Sequence, residues 1–106
     1  MNLNSDFSQR VVIQPDTLLW SLSSSSGVEQ KILEREGAEG ARGTAIMRYA
    51  AGTSSPNHVH ALSVEVFVLE GISSDERGDY TPGSYLKNAP GSMHGPRSAE
   101  GCALFV

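Results

Sequence analysis

From Val11 onward the chain alternates short apolar runs with turn residues, and the runs keep to the length of a strand. Val11 to Gln14 and Thr17 to Leu22 are rich in β-branched, aromatic and leucine residues and are split by Pro15-Asp16, a turn dipeptide. They predict one or two early strands. Ser21 to Gly27 is a serine cluster without apolar periodicity and reads as a loop. Val28 to Arg35 also fits a helical stripe, but Gly27 before it and the glycines at 37 and 40 after it hold it to strand length. Thr44 to Ala50 alternates Ala45, Met47 and Tyr49 against Ile46 and Arg48, again a strand. Val64 to Leu69 is the most apolar run, with Val64, Val66 and Val68 on one face and Glu65, Phe67 and Leu69 on the other. Apolar groups on both faces predict a central strand. Cys102 to Val106 supplies a closing one. Pro82-Gly83 and Pro90-Gly91 add turns, and the whole pattern predicts an all-β sandwich or small antiparallel barrel.

A length of 106 residues bounds this to one domain. Residues 1–10 are polar and aperiodic and read as a flexible N-terminal arm, leaving 11–106 as the domain. Eight Lys+Arg against 12 Asp+Glu give a net charge of −4, without the basic patch that nucleic acid or an anionic membrane would require. No basic start precedes an apolar run, and no stretch of about 18 apolar residues occurs. The expected location is cytoplasmic. Cys102 is the single cysteine, too few for an internal disulfide or a structural zinc finger, and its apolar neighbours place it in the core as a small hydrophobe.

The chemistry gathers at the three histidines. His58 and His60 stand at i and i+2, so on a strand they share a face while Val59 points away, and such a pair can grip one metal ion. His94 follows the Pro90-Gly91 turn and joins them only if the fold brings it there. Ligand nitrogens must be unprotonated, so binding weakens as pH falls through the imidazole range. Glu70 and the Asp75, Glu76 and Asp79 cluster read as solvated turn charges, and Tyr80, Tyr85 and Met93 as packing residues. Neither a G-x-S-x-G elbow nor a phosphate-binding glycine loop is present, which leaves hydrolase and nucleotide readings without support.

Gly52, His58, His60, a following Glu and Gly71, then Gly83, Pro90-Gly91 and His94, resemble the two motifs of the cupin superfamily. D-E-R-G-D-Y-T-P-G-S-Y, P-G-S-M-H-G-P-R-S and the terminal G-C-A-L-F-V are similar to the cupin domain of ChrR-type anti-sigma proteins. The resemblance implies an antiparallel jelly-roll β-barrel, commonly a homodimer, holding a divalent metal ion with His58, His60, Glu65 and His94 as ligands. Glu65 fits less well than the histidines. The family spacing, counted forward from His60 or back from Gly71, arrives at Val64, so Glu65 faces the ion only if a bulge turns the strand. Without it the set is three imidazoles with positions open to water. Imidazole suits Zn, Fe, Ni and Cu, and a carboxylate extends the choice to Mn.

Two functions follow from the resemblance. One is a non-haem metal-dependent dioxygenase acting on a small organic molecule such as a diketone or hydroxyaryl ketone. The other is a non-catalytic, ChrR-like zinc-binding sensory domain. The anti-sigma activity itself belongs, in that family, to a separate N-terminal helical domain.

Overall fold

The computed structural model describes residues 2–37, 42–55, 58–59 and 62–106, with His58, Val59 and His94 described by their backbones alone. Its longest strand, β3 (Val28–Glu36), pairs antiparallel with β4 (Gly43–Tyr49); the glycine-bounded length of the first segment and the alternation of the second both predict strands. On β3's other side lie β1 (Asn2–Leu3) and β2 (Ser21–Leu22). The C-terminal strand β13 (Cys102–Phe105) inserts between β4 and β7 (Val64–Gly71), and β10 (Tyr85–Asn88) forms the far edge. The result is a seven-stranded antiparallel sheet whose middle is sealed by the last residues of the chain.

A second sheet runs β5 (Thr53–Ser54), β12 (Arg97–Ser98), β8 (Ser73–Asp75) and β9 (Gly78–Tyr80). A two-stranded ribbon joins β6 (His58–Val59) to β11 (Met93–His94). The core lies on the inner face of the large sheet, where Val28, Tyr49, Val68, Cys102 and Leu104 are buried and Tyr80 of β9 packs against them. Val68 is wholly buried, while Phe67 and Leu69 beside it are 42% and 41% exposed. β7 is therefore central in its pairing, as its composition predicts, yet covered on one face alone.

Two bulges set the register. Leu33 is an extra residue between the Ile32–Ala45 and Glu34–Thr44 pairs, and Leu69 is one between Val68–Leu104 and Glu70–Ala103. Each changes the inside-outside phase of everything after it on its strand.

The early segment departs from expectation. Val11 to Gln14 forms no strand, Pro15–Thr17 is a turn of 3-10 helix, and Ser21–Leu22 alone pairs with the sheet. The reason is side-chain anchoring that competes with strand pairing. Lys31 Nζ donates to the Pro15 carbonyl at 2.8 Å, and the Trp20 ring lies 4.6 Å from Lys31 Nζ and 4.1 Å from the Arg48 guanidinium carbon. Residues 15–20 thus form a strap over the outside of β3 and β4, fixed by cation–π contacts. Ahead of the strap, Asn2 and Leu3 pair with Glu36 and Arg35, and Asn4 Nδ2 donates to the Leu33 carbonyl at 2.8 Å. Among the described residues, no helix is long and apolar enough to cross a membrane.

Candidate metal and ligand site

The β6–β11 ribbon brings together two histidines that are remote in sequence. His94 is the register partner of His58, and Met93 that of Val59. Partners on an antiparallel pair share a face and have Cα atoms about 4.5–5.5 Å apart. His60 lies outside the described residues. Among the described residues, no group of three or more metal-ligating side chains gathers.

Glu65 takes a different place. Its register with β10 is unbroken from Val64 to Phe67, so it shares the exposed face with Phe67, opposite Val64 and Val66. Its Oε1 accepts a hydrogen bond from the Tyr85 hydroxyl at 2.8 Å. The bulge in β7 falls at Leu69, too late in the strand to turn Glu65 inward. Glu65 is among the residues bordering the cavity, but its carboxylate is held on the outer face by Tyr85.

Between the two sheets lies a cavity of about 820 Å³. Met47, Val66, Leu86, Leu104 and Val106 give it an apolar wall, and Gln30, Ser55, Ser73, Ser74, Asp75 and Tyr80 a polar one. Ser55 and Leu62 line it on either side of the first histidine pair in sequence, and Pro90 and Pro96 on either side of His94. The cavity is thus bordered by residues that flank the histidines in sequence.

Asp75 corrects the expectation of a solvated turn charge. It is 8% exposed, and its Oδ1 accepts from the Tyr80 hydroxyl at 2.9 Å and the Arg77 N–H at 2.8 Å. Burial, and then the bond to Asp75, push the Tyr80 hydroxyl above the ordinary tyrosine range. Tyr80 is accordingly more than a packing residue, because it lines the cavity and its hydroxyl holds the buried Asp75 carboxylate by donating to it. The acids that follow are exposed, as expected, though Asp79 accepts from Ser74 Oγ at 2.6 Å. The signal for Asp75 lay in its neighbours: Ser73 and Ser74 are small enough to pack inside, and the hairpin turn begins only after Asp75. Cys102 is buried, as its sequence context predicts.

Comparison with known proteins places this geometry. The family described as the ChrR Cupin-like domain matches residues 8–106. The DNA damage-repair/toleration protein DRT102 of Arabidopsis thaliana is 30% identical over 69 residues, 59% of this chain and 22% of that protein. The complex of SigE with the anti-sigma ChrR from Rhodobacter sphaeroides contains a chain that superposes with a TM-score of 0.70 at 22% identity, covering 87% of this chain and 50% of that one. Acetylacetone dioxygenase from Acinetobacter johnsonii superposes with a TM-score of 0.71 at 21% identity, over 92% of this chain and 70% of that one. The chain spans about a fifth of the curated relative it matches. At these identities the structural likeness fixes the fold alone, an antiparallel jelly roll.

Proposed function

The chain belongs to the ChrR cupin-like domain family, and from that premise we propose that it is a small metal-binding cupin with dioxygenase-type activity on a small organic molecule. The reading is supported by the register pairing of His58 with His94 and by a cavity large enough for such a molecule, lined by Ser55, Leu62, Pro90 and Pro96 that flank the histidines in sequence. His58, His60 and His94 would hold the ion as neutral imidazoles, with Glu65 remaining on the outer face as Tyr85's partner. Such a donor set suits Zn, Fe, Ni or Cu. When bound, a divalent ion there supplies a Lewis acid that polarises an oxygen of the bound molecule. The chain's own residues do the rest: the apolar wall excludes water and fixes the body of the molecule, and the Tyr80 oxygen, its hydrogen donated to Asp75, is left to accept a hydrogen bond from the molecule.

The second reading, a zinc-holding sensory domain, is favoured by the family match itself and by the likeness to a chain of the ChrR complex. One experiment separates them. Metal content is measured on the purified protein, which is then reconstituted with Fe(II), and O₂ uptake is followed against small β-diketones and aryl ketones. Uptake that vanishes in His58→Ala establishes the enzyme. Tight zinc without uptake on any member of the panel establishes the sensor. In either case bound metal should fall away as pH drops through about 6.5, where free imidazole titrates; retention of a full equivalent at pH 4 would exclude a histidine-held ion.

A further inference from the structure

Two side chains on the inner face of β3 line the cavity without a partner. Gln30 is 8% exposed, and among the described residues its carboxamide makes no hydrogen bond. Arg35 is half-buried, and among the described residues its guanidinium enters no ion pair or hydrogen bond. The other ionised groups along the lining are committed: Asp75 to Tyr80 and Arg77, Glu65 to Tyr85, and Arg42 to Glu34 and Glu36. Arg35 is the charge left over.

Its inward position depends on the bulge. Gln30 pairs with Met47 and Ile32 with Ala45, both on the inner face of β4, and an uninterrupted strand would then turn residue 35 outward. The extra residue Leu33 shifts the phase, so that Arg35 pairs with Gly43, which has the same parity as Ala45 and Met47. Gly43 has no side chain to compete for the space, and Arg35 Nε lies 3.6 Å from where a Cβ there would sit. A carboxamide that no protein group engages is open to a partner from the cavity, and a half-buried guanidinium favours a carboxylate that can accept two of its N–H groups.

We propose that the cavity is a site for a small carboxylate that also carries a carbonyl or hydroxyl group. Arg35 takes the carboxylate, Gln30 bonds the second oxygen function, and the carbon skeleton lies against Met47, Leu104 and Val66. Gln30 offers both donors and an acceptor, so either oxygen function suits it. The two residues stand roughly 13 Å apart along the strand at about 3.3 Å per residue, which, allowing for the reach of the arginine, selects molecules several bonds long. The inference rests on reading the cavity as a small-molecule site and does not need the ion.

The test uses 4-oxopentanoate, 6-oxoheptanoate and 4-acetylbenzoate, each beside its methyl ester, titrated calorimetrically into the full chain in chelator-treated and metal-loaded forms. At least one acid should bind about tenfold or more tightly than its ester in both forms, the value of one charge-assisted hydrogen-bonded contact. Arg35→Gln should erase that preference, and Gln30→Leu should weaken the keto acid while leaving the folded protein at least as heat-stable. Esters that bind as tightly as acids, a preference that survives Arg35→Gln, or no acid binding at about 10 mM would each overturn the proposal. The acid–ester comparison on the unsubstituted chain decides the matter even if a variant fails to fold. Acid binding by a protein that takes up no metal sinks the metal reading alone, whereas full metal loading without acid preference sinks this one.

Discussion

Gly71 shows how much of the fold rests on single positions. Its φ of 71° is one that side chains rarely adopt, and a Cβ there would run into the Gly101 carbonyl and come within 2.8 Å of Cys102 Cα. The obstacle is backbone of β13's approach and cannot swing aside. Gly71→Ala should therefore cost more than about 2 kcal/mol, read as a lower urea midpoint with an unchanged slope. Tyr49 and Cys102 make a different prediction at the same scale. Burial, and then Cys102, hold the Tyr49 hydroxyl above 10.0. Burial holds the Cys102 thiol above 9.0 against the Ser98 and Ser73 hydroxyls that lower it. Both groups bind their protons more tightly folded than unfolded. Their contribution is thus fully present below the unfolded-state values and lost as pH rises through the folded ones. Urea midpoints should hold steady from about pH 7 to 8 and decline above about pH 9, and Cys102→Ala should move the onset toward the tyrosine range. At this scale the sequence was legible for Cys102, whose apolar neighbours foretell burial. It was misleading for Asp75, because the acidic run after it reads as a turn and outweighs the weaker hint of the two small serines before it.

The strands were easier to read than their phase. Glycine-bounded length identifies β3, alternation β4 and apolar content β7 and β13, but a bulge is a single extra residue and leaves no mark on an apolar pattern. The odd interval between Gln30 and Arg35 is absorbed at Leu33, and no count along the chain reveals it. Glu65 teaches the converse. The spacing argument that singled out Val64 as the inward position agrees with the register, in which Val64 pairs with Asn88 and Glu65 with Lys87. Glu65→Ala should accordingly leave metal stoichiometry by elemental analysis unchanged, whereas Val64→Glu, with a carboxylate on the inward face, should tighten binding. Loss of metal in Glu65→Ala would show that β7 twists inward when the ion binds. The early segment was misread for a physical reason: β-branched and leucine residues signalled strands, but Pro15, Trp20 and the two cations beneath it make a strap.

For the whole molecule, the all-β jelly roll was legible from turn spacing together with the two histidine motifs, while the outer surface was not. Ile46, Phe105, Phe67 and Tyr85 are successive register partners across β4, β13, β7 and β10, and the last three are 43%, 42% and 58% exposed. Leu69 adds to the same side. A two-fold axis through a contiguous apolar row of this kind would bury the same patch from each copy, which is how the homodimer that the resemblance implies would form. Phe67→Asp should convert a dimer to a monomer by light scattering at micromolar concentration without changing the cavity. An unaltered mass would place the contact elsewhere.

The strap has one more consequence, and it is optical. Trp20 is the chain's single tryptophan, and it sits between Lys31 and Arg48 on the side of the sheet away from the cavity. Its emission therefore watches the seating of residues 15–20 on β3 and β4, so a spectral change during titration would signal motion passed through the sheet, and constant emission would be compatible with a filled cavity.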